Sequence, residues 1–273
     1  MGGASEYALG YSTEEERRLA LQARMFERLT EDLLRHAGIS DGMDVLDIGC
    51  GVGDVSFLAA RLVGPNGSVV GIDRGAESVE TARRRAKGLG LKNITFVSAD
   101  VSSFQTDQIS DAVIGRLVLL YLSDPSAILR RLSSHLRPGG VMAFQEMDMS
   151  TFAPPGSPAL RTRALTWVYD AFGAAGAQRE MGPRLADIFV NAGLPHPEMI
   201  AGQRITAGSD PEPHAVIAGL ARSLLPVMER AKIASAEEVG VDTLAERLHA
   251  EAIENGESVV YWPRLVGAWA RKA

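Results

Sequence analysis

The chain has 273 residues, of which 46% are apolar and 23% are charged, as in an ordinary globular protein. This length allows one large α/β domain, or one domain with a substantial cap. The formal net charge of -6 argues against a sequence-independent grip on nucleic acid, so we expect no nucleic-acid partner. The single cysteine excludes an internal disulfide, and neither a secretory leader nor an apolar stretch of about 18 residues is found. We therefore predict a cytoplasmic protein with no membrane partner.

A long helix is predicted within the N-terminal segment, residues 1–40. The run from Ser12 to Glu16 holds two overlapping capping boxes, in which a hydroxyl residue is followed three positions later by a glutamate. Apolar residues then recur at helical spacing, and Gly38 is predicted to end the helix.

A strand, a glycine turn and the start of a helix are predicted across residues 43–54, Met-Asp-Val-Leu-Asp-Ile-Gly-Cys-Gly-Val-Gly-Asp. The apolar run that ends at Ile48 has the length and β-branched content of a buried parallel strand. Because glycine has no Cβ and tolerates unusual torsion angles, the backbone amides of such a turn can approach a ligand closely.

The spacing of these glycines bears on the kind of ligand. The dinucleotide fingerprint needs a third glycine five positions after the first, but Asp54 stands there after Gly49, and Ser56 after Gly51. Asp47, at the mouth of the strand, would repel a pyrophosphate and suits a cation. The turn therefore favours a positively charged nucleoside ligand over a dinucleotide.

Acidic residues also follow the next two predicted strands. Residues 68–73 form a short apolar strand ending in Asp73, whose carboxylate can accept hydrogen bonds from both hydroxyls of a ribose. Arg74 comes next, where its planar guanidinium can lie against an adenine. The third strand, residues 94–97, runs into Asp100. Three acids at the tips of successive strands together indicate a nucleoside site.

The fourth and fifth strands complete the predicted parallel sheet. Residues 111–114 form the fourth strand, which leads into Gly115-Arg116-Leu117, and a Pro-Gly-Gly turn at 138–140 leads into the fifth strand at 141–144. Strands and helices alternate throughout this half, which predicts right-handed crossovers between parallel strands. Ligands should lie at the carboxyl ends of the strands.

The segment Val-Leu-Asp-Ile-Gly-Cys-Gly-Val-Gly-Asp, residues 45–54, resembles the first motif of the class I methyltransferases that use S-adenosylmethionine (SAM). The Pro-Gly-Gly turn resembles a later landmark of that family, and residues 7–22 resemble the lid of a small-molecule subgroup. The resemblance implies SAM as the cofactor and S-adenosylhomocysteine (SAH) as its product. It also implies a Rossmann-like fold: a seven-stranded, mostly parallel sheet flanked by helices, with an N-terminal helical lid and a helical substrate cap.

The resemblance also implies how the cofactor is held. Asp100 would accept from the adenine amino group, the amide of Val101 would face the ring, and the backbone at Gly115 and Arg116 would pass under the methionine. Cys50 is expected to be a small buried side chain beside the ligand rather than a nucleophile.

The resemblance further implies that two lid residues, the aromatic Tyr7 and the polar Gln22, would close over the methionine end of the cofactor. The predicted cofactor-binding residues are Tyr7, Gln22, Asp47, Gly49, Cys50, Gly51, Gly53, Asp73, Arg74, Asp100, Val101, Gly115, Arg116 and Leu117.

Glu146, at the end of the fifth strand, is the predicted catalytic residue. It could be a general base, a hydrogen-bond acceptor for a substrate hydroxyl or amine, or a stabiliser of developing positive charge. It could equally cap a loop or pair with an arginine. Metal-dependent relatives place carboxylates after strands four and five, whereas Arg116 stands after strand four here. We therefore predict no catalytic metal.

The second half of the chain is predicted to cover the acceptor. Its expected elements are helices at 159–176, 182–191, 216–228 and 235–253, a sixth strand at 199–205, and a last strand at 259–269 that Pro263 splits, as at an edge or a bulge. Because these helices are rich in apolar and aromatic residues, an apolar acceptor pocket is expected. The predicted substrate contacts are Tyr11, Tyr121, Gln145, Trp167 and Phe172.

We divide the chain into the lid at 1–40, a SAM-binding core at 41–206, a helical cap insertion at 207–256 and a final core strand at 257–273. A helix at 157–177 would roof the acceptor site.

The expected function is SAM-dependent transfer of a methyl group to an O, N or C atom of a small, largely apolar molecule, for example a specialised metabolite, mainly by in-line positioning. One alternative is a SAM-fold protein with a non-methylating or scaffold role. A less favoured one is an NAD-dependent oxidoreductase, against which the missing third glycine and Asp47 argue. A homodimer is a possible assembly.

Overall fold

The computed structural model describes residues 13–151, 156–207, 210–256 and 259–273, with side chains described from residue 25 onward. The α-helices in these ranges are α1 (Thr13–His36), α2 (Asp54–Val63), α3 (Ala76–Gly88), α4 (Pro125–Leu132), α5 (Ala159–Ala174), α6 (Met181–Asn191), α7 (Glu212–Arg230), α8 (Ala236–Val239) and α9 (Leu244–Glu254). The strands are β1 (Asp44–Ile48), β2 (Ser68–Asp73), β3 (Ile94–Ser98), β4 (Ser110–Arg116), β5 (Leu136–Asp148), β6 (Glu198–Gly202), β7 (Ile205–Ala207), β8 (Val259–Tyr261) and β9 (Arg264–Arg271).

Seven of these strands form one sheet in the order β3-β2-β1-β4-β5-β9-β6. All neighbouring pairs from β3 to β5 are parallel, whereas β9 runs antiparallel to both β5 and β6. The predicted Rossmann-like, seven-stranded and mostly parallel sheet is confirmed. The strand order reverses between β1 and β4, and in such sheets the crevice for a ligand lies at this point, outside the carboxyl ends of the strands.

The sheet is buried because helices cover both of its faces. Alternate residues of a strand point to opposite faces. On β5, Val141 and Ala143 pack with residues of α1 and α2, while Met142 and Phe144 pack with residues of α4, α5 and α6. This burial on both sides explains why the strands are continuous apolar runs in the sequence.

Two predicted strands are wrong in their extent. The sixth strand ends at Gly202, and β7 is a separate strand that pairs with β8 in a two-stranded antiparallel sheet, here called the ribbon. Pro263 stands between β8 and β9, not at an edge or a bulge, and β9 lies inside the large sheet. Because proline has no N–H to donate, it cannot continue a strand ladder there.

The predicted helix over 235–253 is wrong in its continuity. A capping box between Ser235 and Glu238 starts α8, and Gly240, with a φ of 58°, ends it before α9 begins. α7 packs against α1, α5 and α9, and the buried faces of α5 to α9 belong to the same hydrophobic cluster as the sheet. In the ranges described above, no helix is both long enough and apolar enough to cross a bilayer. The division into lid, core and cap stays a prediction.

Candidate active site

A cavity of about 420 Å³ opens at the carboxyl ends of the parallel strands. Its polar half, as it is called here, consists of the glycine turn after β1, the loops after β2 and β3, and Arg116 at the end of β4. The wall residues of the cavity that come next after Arg116, as far as Leu122, are apolar or aromatic: Leu117, Val118, Leu120, Tyr121 and Leu122. Its apolar half consists of side chains from α1, α5, α7, the end of β5 and the ribbon region. The apolar half is lined by Met25, Phe26, Met147, Met149, Leu165, Phe172, Val216, Ile217, Leu220, Val260, Tyr261, Trp262 and Pro263.

The glycine turn fits tightly on one side and is open on the other. Gly49 and Gly51 have φ values of 65° and 52°, a left-handed conformation that favours glycine. A Cβ on Gly49 would lie 2.6 Å from Cγ2 of Val118, so the turn packs against the loop after β4 only without a side chain. A Cβ on Gly51 would meet no atom within 4 Å, and Gly51 lines the cavity. A ligand can therefore approach the backbone at Gly51.

Asp73 connects the end of β2 to the glycine turn. Its Oδ2 accepts from the amide of Gly51 at 2.9 Å, and its Oδ1 accepts from the amide of Gly75 at 2.8 Å. Each carboxylate oxygen has a second lone pair for a further donor. Both Asp73 and the exposed Arg74 line the cavity, and their contact with a nucleoside stays a prediction.

The loop after β3 brings Asp100 and Val101 to the same cavity. Oδ1 of Asp100 accepts from the amide of Ser102 at 2.7 Å. Arg131, on α4, donates to the carbonyl oxygens of Val101 and Phe104 and so holds this loop against the body of the protein.

Asp47 and Cys50 lie on different sides of the turn. Asp47 is 1% exposed, accepts from Oγ of Ser56 at 2.5 Å, and is not among the described residues that line the cavity. Burial raises the pKa of Asp47 to about 7. Cys50 lines the cavity, and burial raises the pKa of its thiol far above the usual range, so the thiol is not a reactive thiolate.

Two of the remaining predicted glycines do not line the described part of the cavity. Gly53 has a φ of 95°, begins α2 and packs against Phe57. Gly115 lies inside β4, where a Cβ would meet the ring of Phe144 at 2.6 Å. Both glycines serve close packing of the surrounding side chains, and a contact between their backbone and a ligand stays a prediction.

Arg116 and Leu117 do line the cavity. Nη1 of Arg116 donates to Oγ1 of Thr30 at 3.0 Å, and burial lowers the pKa of the guanidinium. Leu117 has a φ of 54°, which is uncommon for a residue other than glycine. Its amide donates to the carbonyl of Gln145 at 2.9 Å.

Glu146 is fully buried and is not among the described residues that line the cavity. Its Oε1 accepts from the amides of Val118 and Leu119, at 3.0 and 2.7 Å. Its Oε2 has no hydrogen-bond partner in the part of the chain that the structure describes. Burial raises the pKa of Glu146 to about 8. The observed contacts of Glu146 are those of the loop-capping alternative, and its contact with an acceptor stays a prediction.

Of the predicted substrate-contacting residues whose side chains are described, two line the cavity and two do not. Tyr121 and Phe172 line the cavity. Gln145 is instead buried against α1, where it accepts from Oγ1 of Thr30 at 2.7 Å. Trp167 is buried on α5 with the guanidinium of Arg163 5.4 Å from its ring, away from the cavity wall. Neither side chain lines the described part of the cavity, because the sequence shows which residues are near the site but not the direction in which their side chains point. Their contact with a substrate stays a prediction.

Three predicted residues cannot be placed. Tyr7 and Tyr11 lie outside the described residues, and Gln22 lies on α1 in the stretch whose side chains are not described.

Several wall residues were not predicted. Met147 is near the end of β5, and Met149 begins the 3-10 turn that follows the strand, so the period of a strand does not extend to both residues. No local signal identifies Trp262, because the ribbon that brings it to the cavity is formed by pairing over a long stretch of chain. Among the described side chains, no three His, Cys, Asp or Glu residues come together as metal ligands would. The absence of a catalytic metal stays a prediction.

Residues 39–171 match a family model described as a methyltransferase domain. The chain is 33% identical over 118 residues to a trans-aconitate 2-methyltransferase of Azoarcus sp. strain BH72, covering 43% of this chain and 44% of that protein. It is 39% identical over 105 residues to the aklanonic acid methyltransferase DauC of Streptomyces sp. strain C5, covering 38% and 47%. The chain therefore matches less than half the length of these curated relatives.

A solved structure is similar over almost the whole chain. It is a SAM-dependent methyltransferase from Aquifex aeolicus, with a TM-score of 0.54 and 18% identity, covering 97% of this chain and 100% of that one. At this identity the similarity concerns the fold. Residues 39–171, which match the methyltransferase domain, carry both the glycine turn and the strand-end acids.

Proposed function

We propose that this protein transfers a methyl group from SAM to a small, largely apolar molecule. The observation that carries the proposal is the two-sided cavity, in which a polar half suited to a nucleoside meets an apolar half suited to an acceptor. The two curated relatives described above are named for methyl transfer to trans-aconitate and to aklanonic acid, which supports a small acceptor.

The residues of the polar half fit SAM in their chemistry. The spare lone pairs of Asp73 suit the ribose hydroxyls, and Asp100 and Val101 suit the adenine. The open side of Gly51 allows close approach of a ligand to the backbone. The guanidinium of Arg116 suits the carboxylate at the amino-acid end of the cofactor. Asp47, behind the turn, would add a nearby acid rather than a direct contact.

The chain would act mainly by binding, orienting and excluding water. SAM, when bound, supplies a methyl group on a sulfonium, so little proton transfer is needed from the protein. Among the described residues, the apolar half carries no acid, lysine, arginine or histidine. Holding the acceptor atom in line can contribute about 7–11 kcal/mol. The acceptor atom would be O, N or C.

Calorimetry with SAH and with NADH tests the cofactor. We expect SAH to bind and NADH to give no heat, because the polar half lacks the third glycine of the dinucleotide fingerprint. Heat with NADH and none with SAH would instead favour the oxidoreductase alternative.

An acceptor screen tests the reaction. Conversion of SAM to SAH should rise in the presence of some apolar carboxylic acids, phenols, amines or enols. Tight SAH binding without any conversion across such a panel would favour the scaffold or non-methylating alternative.

We also propose a cytoplasmic location and a homodimer as the assembly. The single buried cysteine is in keeping with a reducing compartment. Light scattering of the purified chain gives its mass, and the mass of a monomer would argue against the dimer.

A further inference from the structure

The loop after β4 forms a continuous part of the cavity wall. This β4 loop comprises residues 117–121, of which Leu117, Val118, Leu120 and Tyr121 line the cavity, as does Arg116, the last residue of β4. It begins with the left-handed Leu117 and ends in a 3-10 turn at Leu119–Tyr121. The shape of the cavity therefore depends on how this loop is held.

The β4 loop also touches the glycine turn. The position that a Cβ on Gly49 would take is 2.6 Å from Cγ2 of Val118, so the side chain of Val118 rests on the turn where it has no side chain of its own. A movement of Val118 would change the glycine turn as well as the loop.

Glu146 supplies the hydrogen-bond acceptor that fixes this loop. Its Oε1 accepts from the amides of Val118 and Leu119, which would otherwise be left without a partner at the start of the 3-10 turn. The carboxyl group lies behind the cavity wall and is 0% exposed.

The two amides need an oxygen atom at the right distance and do not need a full negative charge. The raised pKa of Glu146, about 8 as a result of burial, means that the carboxyl group is largely protonated near pH 7. A neutral carboxyl still offers its carbonyl oxygen as an acceptor. The length of the side chain, and not its charge, should then decide whether it can do this.

We propose that Glu146 is a positioning residue, which holds the β4 loop in its cofactor-binding shape through the amides of Val118 and Leu119. It acts on the wall of the cavity and does not take a proton from the acceptor. This inference rests on the proposed function, because binding of SAH is the property that the loop shape controls.

Two substitutions separate length from charge. Glu146→Gln keeps the length and the acceptor oxygen but removes the carboxyl, whereas Glu146→Asp keeps the carboxyl and draws it back by one methylene. We expect Glu146→Gln to bind SAH within about twofold of the parent, and Glu146→Asp to bind about tenfold more weakly, because buried amides lose their acceptor. Calorimetry at pH 7 gives both affinities, and Glu146→Ala should match or exceed the loss in Glu146→Asp.

Asp111→Ala is the matched control. Asp111 also accepts from a backbone amide, that of Asp44 at 2.6 Å, and pairs with Arg137, but at the amino end of β4. Its removal should lower the melting temperature (Tm) and leave SAH affinity unchanged, which shows that general destabilisation does not weaken binding.

The outcomes are distinct. If Glu146→Asp binds SAH as well as or better than Glu146→Gln, the length argument is overturned. If all Glu146 variants lower Tm but bind SAH like the parent, the role is only structural and the inference fails. If the parent itself gives no heat with SAH, the proposed function fails, and this inference with it. Should Glu146→Ala not fold, the comparison of Gln with Asp still decides the matter.

Discussion

Asp73 joins three parts of the site through one carboxylate. It holds the glycine turn at Gly51 and the start of α3 at Gly75, and it lines the cavity. A group in this position affects a ligand directly through its free lone pairs and indirectly through the turn.

Replacing Asp73 by Ala should weaken SAH binding about 100-fold. The loss combines charge-assisted hydrogen bonds to the ribose with a looser glycine turn, each of which is worth about a factor of ten. Calorimetry measures it, with the exposed Asp107→Ala as the control of equal charge change. Equal affinities in the parent and in Asp73→Ala would contradict the ribose assignment.

Arg116 should recognise the amino-acid end of the cofactor. Arg116→Gln is expected to weaken SAH binding about tenfold, because a charge-assisted contact with a carboxylate is lost. The affinity for 5′-methylthioadenosine, which has the same nucleoside but no carboxylate, should not change. A parallel loss for both ligands would show that Arg116 acts on the shape of the cavity instead.

At the scale of single residues, the sequence predicts where a residue stands along a strand better than it predicts the direction in which its side chain points. Asp73 and Asp100 stand at or beyond strand ends and reach the cavity, whereas Asp47 lies within β1 and is buried behind the turn. Gln145 and Glu146 follow each other on β5, so they face opposite layers and both miss the cavity. The direction in which a side chain points depends on the register of the whole sheet, and the local spacing of residues in the sequence does not reveal that register.

At the scale of elements, the ribbon has its own set of hydrogen bonds. Trp262, which lines the cavity, donates from Nε1 to Oγ1 of Thr206 at 2.8 Å and from its amide to the carbonyl of Arg204 at 3.0 Å. Its carbonyl accepts from Nε2 of Gln203 at 2.8 Å. The indole is therefore fixed at both its backbone and its ring.

Thr206→Val should lower the free energy of unfolding by about 1 kcal/mol, because the indole N–H loses its acceptor while the shape of the side chain is kept. Thr206→Ser keeps the hydroxyl that accepts the hydrogen bond, so its free energy of unfolding should fall by less than that of Thr206→Val. Denaturant unfolding measures both values. A larger loss for Ser than for Val would show that the methyl group, and not the hydrogen bond, matters at this position.

The long parallel strands were predictable, and the ribbon was not. β1, β2, β4 and β5 are apolar runs bounded by turns, so their pattern is local. The ribbon pairs Ile205 with Tyr261 across most of the second half of the chain, and each of its strands has three residues. Pairing of such short strands over so long a stretch of chain leaves no signal in a local window of sequence.

At the scale of the whole molecule, two fully buried acids make stability depend on pH. Burial raises the pKa of Asp47 from 3.8 to about 7 and that of Glu146 from 4.5 to about 8. As pH rises from about 4 to 8, the unfolded chain releases these protons first, so the folded state loses stability. Below about pH 4 both states hold the protons, and this penalty is absent.

The double substitution Asp47→Asn with Glu146→Gln should remove that part of the pH dependence. The Tm of the variant minus the Tm of the parent should be larger at pH 8 than at pH 5, by about 3 °C or more. About 1 kcal/mol shifts Tm by about 2–4 °C in a chain of this size. Calorimetric scans at both pH values measure the difference. A constant difference between the two proteins would mean that neither acid is protonated in the folded state near neutrality.

The ribbon has a consequence for how this protein can change. Paired strands lie about 4.8 Å apart. Because β7 precedes segment 210–256 and β8 follows it, their pairing holds the two ends of this segment close together. Helices of a different sequence could be placed between the same two strands if they keep the faces that pack against α1 and α5. Substitutions in segment 210–256 can therefore change which acceptor molecules fit, while the residues of the polar half of the cavity stay the same.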